Sequence, residues 1–400
     1  MKNYKFLILA PIVALLLIFI FSCTQIPTAH QTPKNLKIAV VNEDQGIGKN
    51  NVGETILKGI QQASEKNKTN DEPMIKWDLK NQEDMQKGMD DQSYYGAIVI
   101  PSDFSEKYMS LQTKSPVSPE IKLLVNQGKN ANIANVVNQA LNGIVDKING
   151  KMSTEILSAL QAKNAKLSVE QAKILTTPIT KSTTMVHPTG TLSNAPLSLF
   201  QPLWFGSLIG AVFIYLSMQK RSFNNQKEKL GARLLQLLVS LLIGVVAGFG
   251  LTWVASSILD YEFPSFMDTA LFLTLASCSF TLMIFAVLSW IGFAGIPIFV
   301  LLLFFGIPLL QMTPEVMPAF YKDWIYPWLP MRFMTEGLRE LFFFDDSISW
   351  NTSTIALEWI ADVSLALAIL SVWKPKKKKV EVEELQENSS MNPQEFRKTI

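Results

Sequence analysis

Gln219-Lys220-Arg221-Ser222-Phe223-Asn224-Asn225-Gln226-Lys227-Glu228-Lys229-Leu230-Gly231-Ala232-Arg233 separates two apolar runs, Leu199–Met218 and Leu234–Leu259. Each run can cross about 30 Å of hydrocarbon, because a helix rises about 1.5 Å per residue. Lys220, Arg221, Lys227, Lys229 and Arg233 therefore lie between two spans, and so basic a link reads as cytoplasmic. Working outward, the same reading marks spans at Thr269–Trp290, Ile296–Met312 and Thr354–Trp373, with a tight inner turn at Ile291–Gly295. Lys374 with Lys376 to Lys379 follows the last run, and Lys2 and Lys5 precede an uncharged run, Phe6–Ser22. Asp260–Asp268 has three acids and no base, which places it outside. These signs predict a multi-pass protein of the cell membrane with six transmembrane helices and both termini cytoplasmic. A cleavable signal peptide is disfavoured for Phe6–Ser22, since Ile18–Phe21 is bulky where a cleavage site wants small residues.

Composition agrees with a membrane class. The chain has 400 residues, 48% of them hydrophobic and only 18% charged, and its net charge of +2 gives no signature of a nucleic-acid partner. Two cysteines, Cys23 and Cys278, both in or beside apolar runs, exclude a disulfide framework. The predicted plan is residues 1–23 as the first span, an extracytoplasmic α/β domain at 24–198, a five-helix bundle at 199–373, and a basic, then polar, tail at 374–400. Within the α/β domain, strands are expected at Leu36–Val41, Met74–Leu79, Gly96–Ile100 and Ile121–Asn126, alternating with helices at Val52–Ser64, Glu83–Asp91 and after Pro101. Such alternation predicts a mainly parallel sheet. Asn130–Ala165, rich in Asn and Gln, reads as one or two long polar helices standing away from the core or packing on another copy. Segment 313–353 carries Phe320, Tyr321, Trp324, Tyr326, Trp328 and Phe333, rings suited to the headgroup level.

Two stretches carry a family likeness. Tyr95-Gly96-Ala97-Ile98-Val99-Ile100-Pro101-Ser102-Asp103-Phe104-Ser105, preceded by Ile38-Ala39-Val40-Val41-Asn42-Glu43-Asp44, resembles the external domain of ABC-2 type membrane permeases, most closely the branch named for phage infection protein, Pip. Tyr326-Pro327-Trp328-Leu329-Pro330-Met331-Arg332-Phe333-Met334-Thr335-Glu336-Gly337-Leu338-Arg339 is similar to the proline-aromatic segment and Gly-Leu-Arg that precede that family's last span. The resemblance implies a dimeric permease that moves substrate outward with a separate cytoplasmic ABC ATPase. Only five residues precede the first apolar run, so the family's inner-face elbow helix is missing, and 219–233 is the one cytoplasmic link long enough for an ATPase to grip.

Enzyme chemistry finds no residues to stand on. Gly46-Ile47-Gly48-Lys49-Asn50 lacks the spacing and the hydroxyl of a phosphate-binding loop and reads as a turn. His30 and His187 have no ligand-spaced companions, and no Gly-x-Ser-x-Gly occurs, so no cofactor or metal is expected. Glu358 and Asp362 share one face of the last span. Charges there cost at least about 2.5 kcal/mol each at mid-membrane and normally face protein or a water-filled cavity. The preferred reading is an interfacial pair bonded to Arg332, Arg339 or Lys322; the alternative is an exit cavity that binds a cation or relays protons. Arg332 and Arg339 fall on an expected amphipathic helix, Met331–Phe344, an anchor or a lid over the exit. Gly206 and Gly210 have the Gly-x-x-x-Gly spacing of close helix packing, within one chain or between two. The resulting expectation is an export permease for a lipid-, peptide- or drug-like substrate, embedded in the lipid bilayer as a homodimer or with a related permease, in a Gram-positive type of cell. The competing expectation is a membrane-anchored surface receptor or secretion scaffold that transports nothing.

Overall fold

The computed structural model describes residues 11–374 except 12–14, 17, 21, 30–32, 49, 67, 70–71, 114, 163, 165–167, 220 and 345–346. Most of Phe6–Ser22, together with Lys220, His30, Lys49 and the tail from 375, lies outside the described residues. The protein is mostly helical, with one five-stranded sheet.

The sheet is built from β1 (Leu36–Asn42), β2 (Ile75–Leu79), β3 (Gly96–Ile100), β4 (Glu120–Asn126) and β5 (Thr180–Val186), in the spatial order β2-β1-β3-β4-β5. β2 and β3 flank β1 in parallel, β4 runs antiparallel to β3, and β5 runs parallel to β4. All five residues of β3 are buried, as expected of a central strand covered on both faces. Between the strands lie α1 (Val52–Lys66), α2 (Gln82–Asp90) and α3 (Phe104–Ser110), close to the positions expected from sequence.

One expectation is overturned. The polar stretch after β4 forms a single helix, α4 (Ala131–Ala162), and it does not stand apart. Ile133, Val137, Leu141, Val145, Met152, Ile156 and Leu160 recur at intervals of four or seven and are buried, so a narrow apolar stripe packs inward, its first part over the sheet, while most of the Asn and Gln side chains lie outside it. Gly96 permits the crossing: a Cβ there would come within 2.6 Å of the Leu124 carbonyl oxygen and 3.1 Å of Val137 Cγ1. Farther along, Asn149 is buried and uses both ends of its amide. Its Nδ2 donates to the Ile179 carbonyl (3.0 Å), and its Oδ1 accepts from the Ile179 amide (2.7 Å). That clamp fixes the start of β5, an edge strand preceded by α5 (Val169–Thr176).

At the carboxyl ends of β1 and β3, Asp44 is buried and fills two helix N-termini at once. Its carboxylate accepts from the Gly53 amide at the head of α1 (2.9 Å), and from the Ser105 amide (2.9 Å) and hydroxyl (2.5 Å) in α3. Burial pushes the Asp44 carboxyl up, but the hydrogen bonds from Ser105, Gly53 and Gly46 outweigh it and hold the group below its ordinary 3.8. The loop that follows is a turn: Gly46 and Gly48 take φ of 71° and 60°, and Ile47 bridges Asn50.

Four stretches are long and apolar enough to cross a membrane: Ala195–Ser217, Gln226–Ser257, Phe266–Leu310 and Thr352–Trp373. They hold helices α6 (Ala195–Ser217), α7 (Gln226–Ile258), α8 (Phe266–Ile291), α9 (Ile296–Leu310) and α11 (Thr352–Leu370). α8 and α9 share the third stretch, broken at Gly292–Gly295 where Gly292 adopts φ 69°. α8 is the hub, packed against α6, α7 and α11. Hydroxyls tie the hub: Ser207 lies 3.2 Å from Ser277, and Ser279 donates to the Leu357 carbonyl at 2.7 Å. Between α9 and α11, helix α10 (Pro330–Phe343) packs on α6, α8 and α11.

Removing the carboxylate in Asp44→Ala is expected to cost roughly 2–4 kcal/mol, because two N-termini lose their acceptor. In the intact chain, hydrogen exchange at Gly53 and Ser105 should accelerate together. The wild-type contribution is complete above pH 3.8 and is lost as pH falls through the lowered folded value.

Candidate functional site

The strands reverse direction once, so both ends of the α/β lobe and the turn from β4 to α4 arrive at one base, where the lobe meets the bundle. The contact is a polar weld inside an apolar seam. Tyr95, just before β3, is 1% exposed, and its hydroxyl donates to Glu315 Oε2 at 2.7 Å. The Glu315 carbonyl accepts from the Lys34 amide at 3.0 Å, so one loop residue after α9 holds two strand starts. Lys129 Nζ sits 3.8 Å from the Tyr95 ring centre. Burial lowers the Lys129 ammonium to about 8, with Lys37 adding repulsion and Glu315 opposing both. Burial first, and then Glu315, push the Tyr95 hydroxyl well above the ordinary tyrosine range.

Opposite this weld, α10 lies pressed into the bundle. A Cβ at Gly306 would collide with Met331, and one at Gly337 with the Phe272 ring, so small residues set how closely α10 approaches α9 and α8. Its far end meets the lobe where His187 stacks on Phe344 with ring centres 4.4 Å apart, while His187 Nε2 lies 3.0 Å from Asp90 Oδ1. The aromatic segment before α10 divides. Trp324 and Trp328 are exposed, whereas Tyr321 and Tyr326 are buried and donate to the Cys23 carbonyl and to Glu336 Oε1, each at 2.7 Å.

The two candidate arginines of α10 have different partners. Arg332 pairs with Glu336 at 3.4 Å and lies 4.7 Å over the Tyr326 ring. Arg339 donates to the Leu310 carbonyl at 3.0 Å and forms no ion pair with a described carboxylate. It borders a cavity of about 210 Å³ at the base of the lobe, walled by the β4–α4 turn, the segment leading into α6, the end of α9 and α10. Neither arginine meets Glu358 or Asp362. Those carboxylates form no hydrogen bond or ion pair with another described residue; Glu358 is half-buried and Asp362 exposed on the outer face of α11. The interfacial pairing expected from sequence is thus not formed.

The basic loop also divides. Arg221 ion-pairs with Glu228 at 3.4 Å and stays exposed, as does Lys227. Lys229 is turned to the Val372 carbonyl, and Arg233 donates to Gln236 and to Ser289 on α8, each at 3.0 Å. Lys220 is outside the described residues.

With this geometry in hand, sequence comparison places the chain: one family matches residues 6–360. The chain belongs to the family described as Protein of unknown function (DUF3533). No curated protein matches this DUF3533 chain. Among solved structures it is similar to a domain assigned to an ABC type-2 transporter from Thermotoga maritima MSB8, at 15% identity and a TM-score of 0.27, covering 37% of this chain and 86% of that one. A TM-score so low leaves function to the chain's own residues.

Of the Gly-x-x-x-Gly pair, the DUF3533 chain uses one member internally: a Cβ at Gly210 would press Ile243 of α7 at 3.2 Å, while Gly206 faces open space. The tighter pair is Gly244 and Gly248, set against Cys278 and Thr274 of α8. It has the same spacing and was legible in the sequence. Lys129, Glu315 and Thr189 carried no local signal and Tyr95 was legible only as the head of the β3 stretch, since only the fold brings the four to the base of the lobe.

Lys129→Met is expected to raise the apparent Tm of the purified chain at pH 7, because it removes a cation that the fold desolvates. Between about pH 8 and the ordinary 10.5 the unfolded chain binds more protons than the folded one, so wild-type stability rises with pH there. The advantage of the variant should therefore shrink toward pH 10, as paired thermal melts would show.

Proposed function

We propose that this DUF3533 chain is the membrane-spanning subunit of an ABC-2 type transporter of the phage-infection-protein branch. It exports a lipid-, peptide- or drug-like molecule across the cell membrane, driven by a separate cytoplasmic ATPase. The observation that carries the reading is the weld of Tyr95 to Glu315. A tether would leave the lobe free to turn, whereas a buried bond inside a packed seam passes any rearrangement of α9 and α10 directly into the sheet. The serial likeness of the Tyr95–Ser105 and Tyr326–Arg339 stretches to the permease pattern supports the same conclusion.

In this reading the lobe stands outside the cell, Phe6–Ser22 is the first of six spans, α8 and α9 cross separately, and both termini are inside. The permease works as a homodimer or beside a related permease. Arg221 and Lys227 carry the ATPase contact, because Lys229 and Arg233 are occupied within the bundle. The chain contributes no nucleotide hydrolysis of its own.

The test is ATP hydrolysis that co-purifies with the full chain in mild detergent. Arg221→Glu with Lys227→Glu should reduce it at least tenfold while leaving the chain's own melting temperature unchanged; a like-charge contact costs several kcal/mol of partner affinity. Undiminished hydrolysis would remove the docking assignment. Wild-type cellular function from the lobe tethered to an unrelated single helix would favour the receptor or scaffold reading instead.

A further inference from the structure

The cavity beneath the lobe has the chemistry of an anion site. Its wall contains Arg339 and no aspartate or glutamate. The Arg339 guanidinium spends one amine on the Leu310 carbonyl and meets no described carboxylate, unlike Arg332 seven residues earlier. α6, a 23-residue helix, begins at this wall with Asn194 at its cap position, and the Asn194 side chain makes no capping bond. Pro196 carries no N–H and the Leu197 and Ser198 amides both donate to the Asn194 carbonyl, so what this end offers an acceptor is its positive dipole.

An independent observation points to a ligand. Thr189 lines the same cavity, is 4% exposed, and its hydroxyl has no hydrogen-bond partner, although its amide is satisfied by Gln127 Oε1 at 3.1 Å. An orphaned buried hydroxyl costs about 1–3 kcal/mol, which the fold recovers when an acceptor enters. Asn130, Ser193 and Gln311 line the same cavity with polar side chains, the Asn130 Oδ1 being taken by the Asn132 and Ile133 amides and its Nδ2 left as a donor. Converging donors suit an anion with several acceptor oxygens, and a guanidinium fork matches a phosphoryl group in particular. About 210 Å³ is more than ten times what one water requires, so the space takes a substituted phosphate rather than a bare ion. Leu197, Leu310 and Phe343 make the remaining wall apolar.

We infer that this cavity binds a phosphate ester, with Arg339 and Thr189 as its donors and the positive end of α6 beside them. The inference stands apart from the transport reading, since it concerns occupancy and not movement. Two sources share the chemistry: a phospholipid headgroup, for the cavity lies where α6 enters and α9 leaves the apolar stretch, and a soluble phosphate ester.

Two arms separate them in the purified full chain. The first measures thermal stabilisation by glycerol phosphate in detergent against chloride at matched ionic strength. The second measures retained phosphatidylglycerol by native mass spectrometry after reconstitution in phosphatidylglycerol–phosphatidylcholine discs. Wild type should respond in at least one arm, and the responding arm names the source. Arg339→Gln should abolish that response. Because Arg339→Gln also removes the Leu310 bond and can impair folding, Thr189→Val is the decisive variant. It deletes only an unpartnered hydroxyl, so it should fold normally and weaken binding roughly tenfold. No response in either arm, or a response that Thr189→Val leaves unchanged, overturns the site.

Discussion

The α/β lobe is packed against the apolar bundle at one end only, and one antiparallel pairing decides which of its groups reach that end. β1, β2 and β3 run away from the bundle, and the registration of Gly96 with Val125 starts the return through β4 and β5. Everything at the base follows from it. The residue before β3, the turn after β4 and the exit from β5 are brought together, and they supply Tyr95, Lys129 and His187 to the seam. A fully parallel sheet would have scattered these groups over opposite ends of the lobe.

The lobe answers the carboxylate that it buries. Asp44 is buried because two helix heads converge on it, and its carboxylate occupies the place at the strand ends where open α/β sheets often receive ligands. The lobe therefore closes its own conventional crevice. At the opposite end the Thr189 hydroxyl, in the cavity beside Arg339, has no partner among the described residues. Within the lobe, binding capacity is thus left over at the end that meets the bundle, not at the distal rim.

Much of this plan was legible in the sequence. Strand Gly96–Ile100 announces itself by an unbroken apolar run, Leu36–Asn42 by the run Ile38–Val41 beyond Lys37, and α10 by its amphipathic spacing beyond Pro330. α4 misled because composition is an average: its Asn and Gln outnumber the stripe that does the packing, so only position along the helix separates the two faces. β5 was invisible for a related reason. Thr180–Val186 is an exposed edge with scarcely any apolar pattern, and it owes its place to pairing with β4 and to the Asn149 clamp. The site residues were hardest to see. Arg339 and Arg332 are indistinguishable by spacing, and only the partner at Glu336 makes one neutralised and the other not. Glu358 and Asp362 gave a clear helical signal, yet neither pairs with a cation among the described residues.

Cys278 sits at the closest approach of α7 and α8, its sulfur wedged against the backbone of Gly244 and shielded from the surroundings. The absence of a side chain on the facing helix is what makes room for the thiol, so nothing screens it once the two helices part. Its alkylation by a membrane-permeant maleimide is therefore a clock for the breathing of that helix pair, already built into the native chain.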